Sequence, residues 1–502
     1  MSLLVAVISI TWATGTIKLV LFWIYLWQLK DYHIGRFIDH FRTAKGKRII
    51  FSYVTQFLFW RIKKPVFTAK TILLTGLALL GVAGYYWLIT SITDSAFTIV
   101  LALAVYNLFT PLIVSLIVLL VQPFFVMVRN RILEKARQKM GKHENLTVIA
   151  ITGSYGKTTT KEFLNTILSP KFNVLATPEH RNSEIGIAQT ILQDLRPEHK
   201  IFIVEMGAYN KGGIKLLCDM VKPDMGIVTG VNEQHLATFG SLENLLSAEG
   251  GQELAAKLPK HGILVVNGDN KYCADLYKNF KGNKRIYTSR AGALDADLWG
   301  EQIEVKKESL DFITISRQKQ TAHFQVRVLG AHNIQNLLGA ATVAKELGMS
   351  LEEISVAAKK ITQAQAGITL ASGAHGISII DSSYSSNPDG VAADLDYLSV
   401  FSGKKVVVMP CLIELGGASA TIHEQLGKKM AQVCDLAVIT TKDKFEQLAT
   451  GFMSQGKSQH KILLCENSQE IFTIITTMCK QSDAVLLEGR VPRDLIRLMD
   501  AK

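Results

Sequence analysis

Chemistry is first legible in a glycine-cornered loop followed at once by a lysine and hydroxyls: Gly153, Ser154, Tyr155, Gly156, Lys157, Thr158, Thr159 and Thr160. Glycines let backbone N–H groups approach phosphate oxygens, and the N-terminus of a following helix favours anions. Lys157 reaches outer phosphates there, and the Thr158 hydroxyl can bind Mg2+. The flanks supply the required context, because Thr147–Thr152 (TVIAIT) is a short β-rich run and KEFLNTIL, after the loop, is helical in pattern. The general G-x-x-x-x-G-K-[ST] pattern is not met, since Ile151 stands where its first glycine belongs.

Two further apolar runs end in residues that could serve the same site. Residues 201–204 (IFIV) are fully apolar, as a parallel strand covered on both faces is, and they lead into Glu205. A carboxylate at such a strand edge can hold a metal beside a nucleotide; a structural salt bridge is the alternative. Residues 225–229 lead to Asn232 and His235, the latter either a ligand or a packed histidine. These elements predict an α/β fold with a parallel sheet and the phosphate loop at its edge.

The chain has 502 residues, 48% of them hydrophobic and 20% charged, which excludes a disordered protein and predicts more than one domain. Its net charge of +12 is concentrated at the front: residues 1–142 carry 17 Lys and Arg against 4 Asp and Glu, leaving the rest almost neutral. Those charges flank apolar runs instead of covering one folded face, so the pattern favours a lipid bilayer over nucleic acid. Three runs, about 3–27, 71–92 and 96–121, reach the roughly 20 apolar residues a bilayer core needs. None has the form of a cleaved signal peptide, and Lys18 interrupts the first. The 30–70 loop holds ten basic and two acidic residues, which predicts a cytoplasmic loop, with 49–60 lying along the interface. The expectation is a multi-pass membrane anchor over 1–142 followed by cytoplasmic domains. Asn107 and Pro111 in the third run read as a packed kink, with a functional kink as the alternative. The six scattered cysteines contain no C-x-x-C pair and read as reduced core residues.

Further motifs follow in order: ITGSYGKTTTKEFL (151–164), RNSEIGIAQTIL (181–192), VEMGAYNKGGI (204–214), VNEQHLATFGSLENLLSAE (231–249), VVNGDN (265–270), LGAHNIQNLLGAA (329–341), DSSYSSNP (381–388), and IELG (413–416) before His423. Together they resemble the Mur ligase family, ATP-dependent amide-bond-forming enzymes of peptidoglycan precursor synthesis. Within it they are most similar to members that join D-alanyl-D-alanine to a UDP-N-acetylmuramoyl-tripeptide. The resemblance implies a P-loop ATPase domain over about 146–362, a Rossmann-like domain over about 363–502, and ATP and Mg2+ as cofactors. It implies activation of a substrate carboxylate as an acyl phosphate that an amine then attacks.

Residue by residue, the resemblance implies that Lys157, Thr158 and Glu205 serve a first metal and His235 with Glu205 a second. Asn333 and Asn336 fall where the family contacts adenine; Asn333 could also cap the helix it opens. Asp381 belongs to the nucleotide closure. Asn182, Ser183 and Glu184 lie on the substrate side, and Asn387, Glu414 and His423 match substrate positions, each with a structural alternative. The implied partners are the UDP-muramoyl-peptide, D-Ala-D-Ala, the bilayer and membrane-bound cell-wall enzymes.

The sequence departs from the family at four points. Glu249 occupies the place of a lysine that the family carbamylates with CO2, which reads as a built-in carboxylate in place of the carbamate, with a surface glutamate on a drifted helix as the alternative. Ala366-Gly367-Ile368-Thr369 replaces a Gly-Arg-Leu-Glu stretch, and Asp381-Ser382 replaces paired acids. The front of the chain, where soluble members carry a domain for the UDP-sugar, holds the apolar runs. Two other readings therefore stay open: a ligase acting on another amino acid or a lipid-linked acceptor, and a catalytically degenerate membrane scaffold.

Overall fold

The computed structural model describes residues 3–30, 32, 34–42, 63–178, 181–383, 387–413 and 415–500. The reading of 49–60 as interfacial and that of Glu414 as a substrate contact fall outside these residues. The chain divides into two compact units, Met1–Arg131 and Ile132–Lys502.

The first unit is helical. The Leu3–Leu29 and Ala69–Ile92 helices, together with the long Ala96–Met140 helix that begins here, are long and apolar enough to cross a membrane. Their few polar groups bond between helices, as an apolar setting requires. The Trp12 Nε1 donates to the Leu103 carbonyl at 2.8 Å, the Thr16 hydroxyl to Asn107 Oδ1 at 2.7 Å, and Trp27 Nε1 to Ser115 Oγ at 3.0 Å. Asn107 is thus a helix–helix contact. The helix that carries the third apolar run, about 96–121, continues beyond it to Met140 with Pro111 and Pro123 inside. Ser115 Oγ donates to the Pro111 carbonyl at 2.7 Å, and the RILEKARQKM tail consists largely of strong helix formers.

The second unit contains two sheets. Strands β1 (Thr147–Thr152), β2 (Val174–Ala176), β3 (Ile201–Glu205), β4 (Met225–Val228), β5 (Ile263–Asn267), β6 (Asn283–Thr288), β7 (Leu298–Val305), β8 (Leu310–Ser316) and β9 (Thr321–Val326) form one sheet in the order β2-β3-β1-β4-β5-β6-β7-β8-β9. Pairing is parallel through β7 and antiparallel across β7-β8-β9. β1, β3 and β4 are almost wholly buried and continuously apolar, whereas β8 and β9 alternate buried and partly exposed positions, the patterns expected of two-sided and one-sided strands.

The other strands are β10 (Thr369–Ser372), β11 (Ser378–Ser382), β12 (Lys405–Met409), β13 (Leu436–Ile439), β14 (Ile462–Leu464) and β15 (Ala484–Glu488). They run β10-β11-β15-β12-β13-β14, parallel except for β10. One buried apolar cluster continues from Phe163 and Leu337 beside the first sheet to Leu395 and Leu426 beside the second. The Tyr397 hydroxyl donates to the Lys307 carbonyl across the same junction.

Candidate active site

β1 stops at Thr152, and the loop after it is shaped by two glycines. Gly153 has φ 141°, and a Cβ there would lie 2.3 Å from Thr229 Oγ1; Gly156 has φ 77°, and a Cβ there would lie 2.7 Å from Asn336 Oδ1. Gly156 leads into the Lys157–Leu168 helix without any side-chain cap, so the first N–H groups of that helix are left to whatever anion the loop holds. Lys157 Nζ folds back over the loop and donates to the carbonyls of Gly153 (2.6 Å) and Ser154 (3.4 Å). The Tyr155 ring packs across Gly230, and Asn270 Nδ2 donates to its hydroxyl at 3.2 Å, so this side chain anchors the loop. Burial drives its phenol well above the ordinary range.

Asn333 and Asn336 support the loop from behind. Asn333 is fully buried and donates to the Leu329 carbonyl at 2.7 Å, while Asn336 Nδ2 donates to Asn333 Oδ1 at 2.9 Å and its Oδ1 accepts from Thr160 at 3.2 Å. The capping alternative for Asn333 does not hold. The helix begins at His332 with Ala331 at its cap, so Asn333 lies inside the first turn.

Glu249 comes closest to the loop. The short Leu242–Ala248 helix, capped by Ser241, ends at Glu249, and Gly250 follows where a Cβ would meet the Leu246 carbonyl at 2.3 Å. Its carboxylate is almost fully buried; Oε2 accepts from Ser154 Oγ at 2.7 Å, and the two oxygens lie 3.0 and 3.1 Å from His235 Nδ1. Burial pushes the Glu249 carboxyl up, but the His235 and Ser154 bonds and the Lys157 charge outweigh it and hold the group below its ordinary value. Glu205, at the end of β3 and paired with Ile151, is held elsewhere: Asn182 Nδ2 donates to Oε1 at 2.9 Å and Lys161 Nζ stands 3.4 Å from Oε2. His235, expected with Glu205 at a second metal, is bonded in this structure to Glu249.

Among the described residues no three His, Cys, Asp or Glu side chains form a metal cage. Mg2+ beside a nucleotide takes one or two carboxylates and completes its shell with phosphate oxygens and water. Glu205 and Glu249, as separate single carboxylates, fit that mode with Thr158, and His235 lies against Glu249.

The remaining predicted residues are more dispersed. Ser183 caps the Glu184–Asp194 helix, accepting from Gly186 N at 3.3 Å, with Glu184 in its first turn. Asp381 ends near β11's edge and accepts from Ser383 N at 2.9 Å. Asn387 caps the Pro388–Leu398 helix, accepting from Gly390 N at 3.0 Å and from Asn232 Nδ2 at 3.1 Å, which joins the His235 segment to the second sheet's domain. The substrate role for His423 is not what its surroundings support. It is fully buried, its Nε2 accepts from Leu412 N at 3.0 Å, and its Nδ1–H donates to the Ser419 carbonyl at 2.6 Å. Burial lowers its pKa, in keeping with a neutral ring that ties down the 412–419 loop. His423→Ala is expected to leave the Leu412 N–H buried and unpaired, costing about 1–3 kcal/mol and lowering the thermal unfolding midpoint of the full chain.

Sequence reasoning passed over Lys161, Thr229 and Asn270. Thr229 donates to the carbonyls of Thr152 (3.2 Å) and Tyr155, and Asn270 also donates to the Val231 carbonyl at 2.9 Å. Thr229 and Asn270 carry one linear signal, position, just beyond a strand and at a helix cap, whereas Lys161, inside its helix, carries none.

The fold and loop define a phosphate-loop α/β protein with two ligase-type domains, and comparison with known proteins gives the class a name. Residues 151–344 match the Mur ligase middle domain and 368–491 the Mur ligase glutamate ligase domain. The chain is 27% identical over 350 residues to the UDP-N-acetylmuramoyl-tripeptide–D-alanyl-D-alanine ligase of Escherichia coli, covering 70% of this chain and 73% of that one. It is 29% identical over 322 residues to the enzyme of that name from Mycobacterium tuberculosis, covering 62% of each. The chain thus spans less than two thirds of the mycobacterial relative. Crystal structure I of MurF from Acinetobacter baumannii superposes with a TM-score of 0.66 at 26% identity, over 74% of this chain and 80% of that one. MurF of Thermotoga maritima in complex with ADP, at 24% identity and a TM-score of 0.65, shares the fold over 74% of this chain and 83% of its own. The chain belongs to the Mur ligase family, whose members are ATP-dependent amide ligases, and has that family's α/β fold.

Proposed function

We propose that this chain adds D-alanyl-D-alanine to a UDP-N-acetylmuramoyl-tripeptide, using ATP, at the cytoplasmic face of a membrane crossed by its three apolar helices. The observation that carries the reading is the bond between Ser154 of the phosphate loop and Glu249, with His235 on the same carboxylate. It brings an anionic, metal-compatible group to the place where the loop glycines, Lys157 and an uncapped helix end can receive a triphosphate.

In this reading a carboxylate oxygen of the muramoyl-tripeptide bonds to the γ-phosphorus as the bond to ADP breaks. The dipeptide amine then bonds to the acyl carbon, phosphate leaves and one proton is released. Lys157 moves from the Gly153 and Ser154 carbonyls onto phosphate oxygens and offsets the charge that builds during transfer. Thr158, Glu205 and Glu249 would hold Mg2+, which when bound would neutralise phosphate charge as a Lewis acid. His235 and Ser154 keep Glu249 ionised and oriented.

The full-length protein in detergent should release inorganic phosphate only when ATP, UDP-muramoyl-tripeptide and D-Ala-D-Ala are all present. Release only with a lipid-linked acceptor or another amino acid would move the substrate assignment, and nucleotide binding with no turnover under any substrate would establish a scaffold. The Glu249 role has its own test. Wild-type turnover should be indifferent to bicarbonate, and Glu249→Ala should lower it about 10–100-fold, with Glu249→Lys recovering part of the loss only when bicarbonate is supplied. Bicarbonate-dependent wild-type activity, or a fully active alanine variant, would remove Glu249 from the mechanism.

A further inference from the structure

The Lys161 side chain is wholly buried on the inward face of the loop helix, beside Thr160, Leu164 and Ile167. Its Nζ lies 3.2 Å from Glu162 Oε1 and 3.4 Å from Glu205 Oε2, yet off the directions a hydrogen bond needs, so the ammonium makes none. A buried cation held this loosely is a poor stabilising device, since apolar residues of similar volume commonly serve a core as well or better. Glu162 keeps 23% of its side chain exposed, where solvent competes, whereas Glu205 keeps 3%, which makes Glu205 the partner that feels the charge most. Asn182 donates to the other Glu205 oxygen. The carboxylate thus has an amide donor on one oxygen and a buried positive charge beside the other, at a strand end adjoining the phosphate loop.

We propose that Lys161 is a positioning residue: as a buried point charge opposite Asn182, it fixes the orientation of the Glu205 carboxylate at which a divalent cation enters with the nucleotide. The inference rests on the reading of Glu205 as a metal carboxylate, and it asks for nothing from Lys161 toward the phosphates themselves.

Mn2+ is the probe, followed by the electron paramagnetic resonance of the free ion as full-length protein in detergent is titrated in the presence of ADP. Binding of a fluorescent ADP in EDTA is measured alongside. Lys161→Met should weaken Mn2+ about 10–100-fold, the range for loss of a group that orients a metal ligand, while metal-free ADP binding stays within twofold. Lys161→Gln is read in the same way if the methionine variant does not fold. Glu162→Gln should leave Mn2+ affinity within twofold. Unchanged Mn2+ affinity in the Lys161 variants, or a parallel loss of metal-free ADP binding, would overturn the proposal and leave Lys161 a structural residue of the helix. Glu205→Gln separates the two layers: if it binds Mn2+ as tightly as wild type, the reading of Glu205 itself fails.

Discussion

Lys157→Ala is expected to lower substrate-dependent phosphate release by about 10²–10³-fold, the scale set by removing one preorganised charge or donor from a developing anion. Lys157 is the cation that donates directly to the loop carbonyls, through Gly153 and Ser154. Those carbonyls are weak partners for an ammonium, so moving onto phosphate oxygens costs little and gains a charge-assisted bond. The loss should fall mainly on kcat. Ground-state binding also draws on backbone N–H groups and the helix end, which the substitution leaves intact, so ADP affinity should drop far less than turnover. Two controls follow from the surroundings. The variant also removes a positive charge that helps hold the Glu249 carboxyl low, so the acid limb of the pH–rate profile should shift upward in whatever activity remains. Lys157→Arg should not restore the wild-type rate, because a planar fork does not replace a compact ammonium in a loop this tight. Turnover within tenfold of wild type in the alanine variant would mean that the loop does not clamp the transferred phosphoryl group.

How much of this site the linear chain discloses depends on how local each cause is. The loop is legible because its shape is set by Gly153 and Gly156, whose positive φ angles are properties of single residues. Glu205 is legible because a continuously apolar run that stops at an acid marks a buried parallel strand and its edge. The partner of each carboxylate is not legible in this way. Glu249 meets Ser154 because the Leu242–Ala248 helix folds back toward the loop, a matter of tertiary packing over a separation of 95 residues. His423 misleads for the converse reason: a histidine in a matching motif position has no linear mark showing that both ring nitrogens are already used by Leu412 and Ser419. The three apolar helices sit between these cases. Their apolar length is plain, but the end of the third helix is not, since a strong helix-forming tail carries it on to Met140.

The largest stability effect is expected from Glu488→Gln. Glu488 ends β15 opposite Ser382 of β11, almost fully buried; as a carboxylate it finds no donor for either oxygen, nor does Asp394 Oδ1 beside it, whereas a protonated Glu488 bonds to Asp394. Ser382 Oγ is turned to the other Asp394 oxygen at 2.6 Å, and His332 Nδ1 stands 4.0 Å away from Asp394 Oδ1. Burial first, then the neighbouring Asp394 carboxylate, raises the Glu488 pKa well above its ordinary value. The folded state therefore holds a proton on Glu488 that the unfolded chain releases above about pH 4.3. Stability tied to that proton is fully present below the unfolded pKa and is lost as pH rises toward the folded one, at a limiting slope of roughly 1.4 kcal/mol per pH unit. A glutamine has the same shape, stays neutral and can donate toward Asp394, so it removes the slope without opening a cavity. The Gln variant should unfold at a higher temperature than wild type at pH 7–8, with the gap closing as pH falls and gone near pH 4.5. The gap, not either curve, is the measured quantity, since every other titrating group is common to both proteins. Parallel curves across that range would show that Glu488 ionises in the folded protein as readily as in the unfolded chain, and that the second sheet tolerates two adjacent buried charges.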